Sequence, residues 1–360
     1  MFDPKIIESD RWLERVGPRE EVVLSTRARY ARNFPKVAFP RRAKESDLRA
    51  VLDRVAEAID HCAEFAGGYR FFLANISELG RQYLRENHLV SPEMEKSPKN
   101  RGLFLSRDIR LAVMVNEEDH LRMYALEPGF RPYEALQEVI DLETALSKEL
   151  PFAFSPRFGY LTSCTTNTGT GLRISVMLHL PALSISRSIR GVLDSLHNLG
   201  MTARGFYGEN TENHGGFFQI SNEVTLGKSE REIVDMFSAV AEQIIERERQ
   251  MRRELLENNR LQVEDQVWRA YAILTHARLL STKEAMELLA LLRLGVDAGF
   301  FPHISHTEIN KLAVAVQPSH IRAALINATG DDEERKFSDE ERDQARAALL
   351  RKRLLSGPMR

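Results

Sequence analysis

The chain has almost no cysteine: Cys62 and Cys164 are its only two, and they stand far apart, without metal-ligand spacing or a disulfide framework. A reduced, cytoplasmic protein is the expectation that follows. A long apolar run is also missing. The stretch 287–301 is too short and too interrupted to cross a bilayer, and the charged opening Met1-Phe2-Asp3-Pro4-Lys5 lacks a signal-peptide core. Charge of one sign is absent as well. The 50 basic and 52 acidic residues leave a net charge of −2, which argues against direct nucleic-acid binding through bulk electrostatics. There is no internal repeat, no low-complexity segment, no Gly-x4-Gly-Lys-Ser/Thr phosphate loop and no kinase-type Asp-Phe-Gly. What remains is a globular composition, 43% hydrophobic and 28% charged, over 360 residues, enough for one large or two ordinary domains.

Residues 21–29, rich in Val and Thr, read as a strand, and 69–74, 102–106, 110–116 and 172–180 read as further strands. Over 44–65, Leu48, Val51, Leu52, Val55, Ala56, Ile59 and Cys62 fall at helical spacing, which makes Cys62 a small core residue. Helices are expected at 132–148, 183–198 and 229–258. Strands and helices interleave without a repeating strand–helix unit, so the fold class is α+β. After residue 229 strand signals cease. Helical patterns follow over 230–259, 263–280, 282–298, 308–316, 319–327 and 339–354. We therefore expect an α+β domain over 1–250 and an all-helical domain over 251–360, with the boundary inside the charged helix 241–258.

Four clusters could carry chemistry. In Ser25-Thr26-Arg27-Ala28-Arg29, the two arginines lie two apart and share one strand face, so both guanidinium groups can converge on an anion. Solvated arginines on an edge strand are the alternative. In Asn116-Glu117-Glu118-Asp119-His120-Leu121-Arg122, three adjacent carboxylates need something to offset their repulsion: a metal ion, a cationic substrate or solvent. An acidic surface turn is equally compatible. Gly159–Arg173 holds a lone thiol, Cys164, in a Gly/Thr-rich turn able to offer N–H groups and hydroxyls to an anion. In the following strand Leu172, Ile174, Val176 and Leu178 take one face and Arg173 the other. A thiol beside several arginines is expected to have a lowered pKa. Arg204–Gly216, with glycines at 205, 208, 215 and 216, reads as a loop that carries a further carboxylate, Glu212.

Ser-Thr-Arg-x-Arg (25–29), Asn-Glu-Glu-Asp-His-x-Arg (116–122), Cys-x-Thr-Asn-x-Gly-Thr-Gly-x-Arg (164–173) and Gly-Glu-x-Thr-Glu (208–212) come in one order. Their order and wording resemble the ATP:guanido phosphotransferases, the family of creatine and arginine kinases, and in particular its bacterial protein-arginine kinases. The resemblance implies a catalytic domain with an antiparallel sheet flanked by helices. It implies that Arg27, Arg29, Arg122 and Arg173 grip the phosphates of ATP, with Arg204 a possible addition and His88 near the nucleotide. Glu118 and Glu212 would hold the acceptor guanidinium, Glu118 as principal base, beside the reactive Cys164 tuned by Thr166. Mg2+ would arrive on ATP without direct protein ligation, Glu117 reaching it through water. Thr165 and Thr168 replace a common proline and leucine, and Tyr207 stands where metabolic members place another arginine.

The chemistry explains why two carboxylates are needed. Deprotonating a guanidinium of pKa near 13 at neutral pH costs on the order of 8 kcal/mol. Holding it in line with the γ-phosphoryl, with proton loss coupled to transfer, avoids that free intermediate. The chain reaches Ser-Thr-Arg-x-Arg by residue 25, so the helical N-terminal domain of metabolic members is not expected, and a more open pocket suits a protein substrate. Arg342-Asp343-x-x-Arg346-Ala347 matches the Arg-Asp-x-x-Arg-Ala motif of protein-arginine kinases, where it belongs to a regulatory phosphoarginine pocket. Without the resemblance, the same residues are a charged helix with i,i+4 pairs. The expected function is phosphorylation of exposed protein arginines. The resemblance also implies a zinc-binding activator protein and hand-over to a Clp-type unfoldase and protease, and the helical C-terminal domain suggests a homodimer. A metabolic kinase acting on free arginine and a non-catalytic phosphoarginine-binding adaptor are the alternatives.

Overall fold

The computed structural model describes residues 15–205 and 215–355. Its centre is the strand β1 (Val23–Arg32), joined on one side to β5 (Leu121–Pro128) and on the other to β8 (Leu172–His179). With β2 (Tyr69–Phe72), β3 (Gly102–Leu105), β4 (Leu111–Val115), β9 (Met201–Gly205) and β10 (Phe217–Asn222) they form an eight-stranded sheet in the order β2-β3-β4-β5-β1-β8-β10-β9. Every pairing is antiparallel. A short ribbon of β6 (Phe154–Ser155) and β7 (Gly159–Tyr160) stands apart.

One face of the sheet is apolar because alternate residues of its strands are. Ala28, Tyr30, Val113, Met123, Leu172, Ile174, Val176 and Ile220 are buried there under α1 (Glu45–Asp60), α4 (Pro132–Ser147) and α7 (Glu230–Asn258). Cys62 belongs to this core, as its helical spacing implied. On the other face, α2 (Glu78–Glu86) and α3 (Pro92–Lys96) cover β3, β4 and β5 through Leu84, Leu89, Met94, Leu103, Leu105 and Met114. The middle of that second face is left to charged residues.

Beyond α7 come α8 (Arg260–His276), α9 (Thr282–Asp297), α10 (His306–Ala315), α11 (Pro318–Thr329) and α12 (Asp339–Leu355). Val267, Leu274, Leu289, Phe301, Leu312 and Leu350 form their own core, which also takes in Leu24 and Phe217 of the sheet. Helix α7 runs unbroken through 230–258, opened by a capping box between Ser229 and Glu232.

Two sequence expectations need correction here. The helix expected over 183–198 is two helices, α5 (Pro181–Ile185) and α6 (Ile189–Asn198), parted by Arg187 at φ 59°. The hydroxyls of Ser184 and Ser186 donate to the carbonyls of Leu180 and Leu183, which diverts the backbone from a continuous helix. The helix expected over 44–65 stops at Asp60 and continues only as a 3-10 turn at Ala63–Phe65.

Candidate active site

The charged middle of the sheet is the floor of a cavity of about 860 Å³. Strand register builds it. Arg29 on β1 lies opposite Arg173 on β8, and Ala31, on the same face, lies opposite Arg122 on β5. Arg204 on β9 pairs with Gln219 of β10, and both line the same space. Arg27, Arg29, His88, Glu117, Glu118, Arg122, Cys164, Thr166, Arg173 and Arg204, from six separate segments of chain, meet there. Every site residue expected by sequence in the described part of the catalytic unit therefore reaches one cavity. Glu212 and Tyr207 lie outside the described residues.

The arginines repel one another. Burial, followed by the charges of Arg27, Arg122 and Arg173, pushes the Arg29 guanidinium well below its ordinary pKa. Arg27 is pushed down mainly by burial and lies 5.7 Å from the centre of the Tyr124 ring. Arg173 is steadied by the Ser221 hydroxyl, which accepts from Nε and Nη2 at 3.1 and 3.0 Å. His88 sits at φ 60° after α2, and burial, with Arg27 and Arg85 adding to it, pushes its pKa down to about 3. Its ring is neutral at physiological pH.

The three adjacent acids do not share one offset; they separate. Glu117 pairs with Arg122 at 2.8 Å. Asp119 turns inward and accepts from Asn33 Nδ2 at 2.8 Å and from the Ser163 N–H at 2.6 Å. Glu118 faces the cavity, with Arg122 no nearer than 3.5 Å. Burial, then the charges of Asp119 and Glu117, raises the Glu118 carboxyl against the pull of Arg122. His120 braces the turn through Phe34 N–H and the Ala38 carbonyl. So the repulsion is answered by Arg122, Asn33 and Ser163, and one carboxylate remains for a cationic ligand.

Cys164 lies on the opposite wall, its Sγ 3.0 Å from Thr166 Oγ1. Asp119 anchors this loop at Ser163. Thr225 anchors it at the other end, with its hydroxyl 2.9 and 2.7 Å from the carbonyls of Thr166 and Thr168. Gly169, at φ 116°, is needed for the return: a Cβ there would lie 2.7 Å from the Thr225 carbonyl. Thr168 bonds Thr162 at 3.0 Å, so the hydroxyl that replaces leucine is used inside the loop. Sequence reasoning missed Asp119 and Thr225 as anchors, and Arg85, Gln219 and Glu223 as lining residues. The pairing of Gln219 with Arg204 becomes visible only once β9 and β10 are known to be neighbours.

The Arg342–Ala347 motif lies on α12, away from the cavity. Arg346 is buried. Its Nε donates to the Val316 carbonyl at 2.8 Å, and its Nη1 to the Leu280 carbonyl at 2.7 Å and to Asp343 at 2.6 Å. Ala347 is buried, while the Arg342 and Asp343 side chains are about one-third exposed, at 34% and 30%.

A floor of arginines that can take a polyphosphate, walled by a carboxylate and a thiol that can take a cation, defines an enzyme of phosphoryl transfer. A family model of the ATP:guanido phosphotransferase C-terminal catalytic domain matches residues 50–251, and one of the protein-arginine kinase McsB C-terminal domain matches 260–359. A protein-arginine kinase of Symbiobacterium thermophilum is 43% identical over 347 residues, covering 96% of both chains. That of Bacillus subtilis is 38% identical over 346 residues, covering 95% of this chain and 93% of its own. A duplicated taurocyamine kinase of Schistosoma mansoni superposes with a TM-score of 0.59 at 27% identity, covering 65% of this chain and 34% of that one. A lombricine kinase does so with a TM-score of 0.58 at 23% identity, covering 68% and 70%, and supports the fold alone. The chain belongs to the ATP:guanido phosphotransferases, among their protein-arginine kinases. Among the described residues, no helix is long and apolar enough to cross a membrane.

Proposed function

We propose that the protein transfers the γ-phosphoryl group of Mg-ATP to arginine side chains of proteins, inside the cavity floored by β1, β5 and β8. The observation that carries this reading is the meeting of Arg27, Arg29, Arg122 and Arg173 with Glu118 and Cys164 in one space. The arginines, with Arg204, hold the polyphosphate, and the neutral His88 ring lies against the nucleotide. Glu118 orients the acceptor guanidinium and takes its proton as the bond to phosphorus forms. The raised pKa of Glu118 brings its basicity nearer to the task. Glu212 is assigned as the second carboxylate on the motif resemblance. Cys164, hydrogen-bonded to Thr166, faces the same guanidinium.

A Mg2+ carried by phosphates needs only one or two carboxylates from a protein, and Glu117 on the cavity wall fits that need through water. Bound there, it would neutralise charge on the β- and γ-phosphates. The chain divides, in this reading, into a catalytic unit over 1–250 and a helical unit over 251–360 that share α7. Arg342 and Asp343 are the motif residues open to a phosphoarginine, while Arg346 and Ala347 hold α12 in place. The sparse cysteines extend the reading to a reducing, cytoplasmic setting, the helical C-terminal unit to a homodimer, and the motif resemblance to a zinc-binding activator and marking of substrates for Clp-type degradation.

The test is to incubate the protein with γ-labelled Mg-ATP and either casein or free arginine, and to measure acid-labile phosphate on each. Label on casein that disappears in Glu118→Gln supports the proposal. Label on free arginine alone assigns a metabolic kinase, and equal background in both proteins assigns an adaptor.

A further inference from the structure

The turn that brings His88 and Arg85 to the cavity is not held by the catalytic unit alone. Helix α2 ends at Glu86, and His88 adopts the left-handed backbone region that non-glycine residues occupy only at a cost. Such a conformation persists where its surroundings determine it. Here the cap itself is local, with the His88 N–H on the Arg85 carbonyl and the Leu89 N–H on the Leu84 carbonyl, and the two residues before His88 are held by α11, 233 residues further along the chain.

Glu86 is 3% exposed, and its Oε2 accepts from the Ser319 N–H at 2.9 Å and from the Ser319 hydroxyl. Its other oxygen lies 3.7 Å from the guanidinium of Arg85, which lines the cavity. The next residue, Asn87, donates from Nδ2 to the Tyr83 carbonyl at 2.9 Å and meets His320 Nε2 at 3.1 Å. The His320 ring stacks on Tyr83 with centroids 3.9 Å apart. Burial pushes the His320 pKa down to about 3, so the ring is neutral and its Nε2 can accept from Asn87. Two adjacent residues of α11 therefore grip the last turn of α2 from two sides.

We propose that Glu86 is a positioning residue for the nucleotide. Its clamp on Ser319 sets the α2 turn, so that Arg85 and His88 are in place before ATP arrives. The helical unit thereby completes the nucleotide side of the cavity, although no residue of α11 lines it. This rests on the reading that the arginine floor binds ATP. In mechanism it is preorganisation: a turn fixed in advance spares the ordering that binding would otherwise require.

The experiment uses the full chain and measures KM for Mg-ATP, KM for casein and kcat, together with nucleotide affinity from calorimetry with Mg-ADP. Glu86→Ala removes the acceptor of both Ser319 donors, and two hydrogen bonds at about threefold each correspond to about a tenfold rise in KM for ATP. Ser319→Ala keeps the backbone donor and should give roughly a threefold rise by the same reasoning. Glu86→Gln retains an acceptor oxygen and should stay within about twofold of wild type. In all three, KM for casein and kcat at saturating ATP are expected to be unchanged. If Glu86→Ala fails to fold, Ser319→Ala carries the test alone. Nucleotide KM and affinity equal to wild type, with only a lower melting temperature, would make the clamp a structural contact and overturn the proposal. A wild-type protein that binds no Mg-ADP would overturn the ATP reading itself, and the two failures differ in which protein shows them.

Discussion

Replacing Arg29 by methionine should make the empty protein more stable while removing its response to nucleotide. Arg29 makes no hydrogen bond or ion pair among the described residues, and Arg173 lies opposite it in the strand register. Burial first and like charges second act against its charged form, and the attraction of Glu117 offsets them only in part. A methionine keeps the apolar stem against the sheet and removes the charge. Relief of an under-compensated, partly buried charge of this kind contributes about 1–2 kcal/mol. At roughly 2–4 °C per kcal/mol, the unliganded melting temperature should rise by about 2–8 °C. Wild type at a nucleotide concentration near 100 times Kd gains about 2.7 kcal/mol, and the variant should gain almost none of it. Thermal unfolding with and without Mg-ATP reads both effects, and the order of stability of the two proteins should reverse between conditions. A variant that melts below wild type without nucleotide would refute the reasoning, because Arg29 would then be structurally paired. An undiminished ATP shift would refute its place on the phosphate floor.

Three further outcomes are expected. Glu118→Gln should lower kcat by about 10²- to 10⁴-fold, the usual contribution of a general base, while the ATP-dependent melting shift remains. Because the Glu118 carboxyl is raised, activity should fall with decreasing pH at a higher pH than an ordinary carboxylate would give; an acid limb at the ordinary value would exclude it as the base. Asp119→Ala leaves one Asn33 amide N–H and the Ser163 N–H without their acceptor, a loss of about 2–6 kcal/mol at ~1–3 kcal/mol per unmet group. Urea unfolding should show that loss, with faster proteolysis inside 159–173; wild-type resistance there would remove Asp119 as the loop's anchor. Arg346→Ala strands the Leu280 and Val316 carbonyls and Asp343, and should cost about 3 kcal/mol or more; an unchanged urea midpoint would show that Arg346 holds nothing.

Helices of the C-terminal part were legible because each carries a long apolar stripe and a turn-like joint, and none departs from its expected range by more than a few residues. β1 and β8 were legible because apolar and polar residues alternate along much of each, and β4 because it is a short unbroken apolar run. β5, β9 and β10 were not. Leu121–Pro128 follows three acids, and Met201–Gly205 and Phe217–Asn222 flank a glycine-rich loop, so turn signals mask short strands. Glu86 shows the limit for the site. A glutamate in a charged helix reads as a solvated residue, and only the docking of α11 turns it inward. The separation of Glu117, Glu118 and Asp119 was illegible for a related cause. Their partners, Arg122, Asn33 and Ser163, lie on three different segments, and only one of those is local in sequence.

The strand order has a consequence for how the molecule comes into being. The phosphate floor begins with β1, yet both neighbours of β1 lie far downstream, at 121–128 and 172–179. Contacts so distant along the chain form slowly, since loop closure precedes any gain from pairing. During synthesis, Arg27 and Arg29 leave the ribosome with no sheet to join until about 100 more residues have followed, and with no second neighbour until about 150 have. The paired strand that seats Arg173 closes β1 on its second side. Nucleotide binding is thus among the last properties this polypeptide acquires, and an incomplete chain would present β1 as an open, unpaired edge.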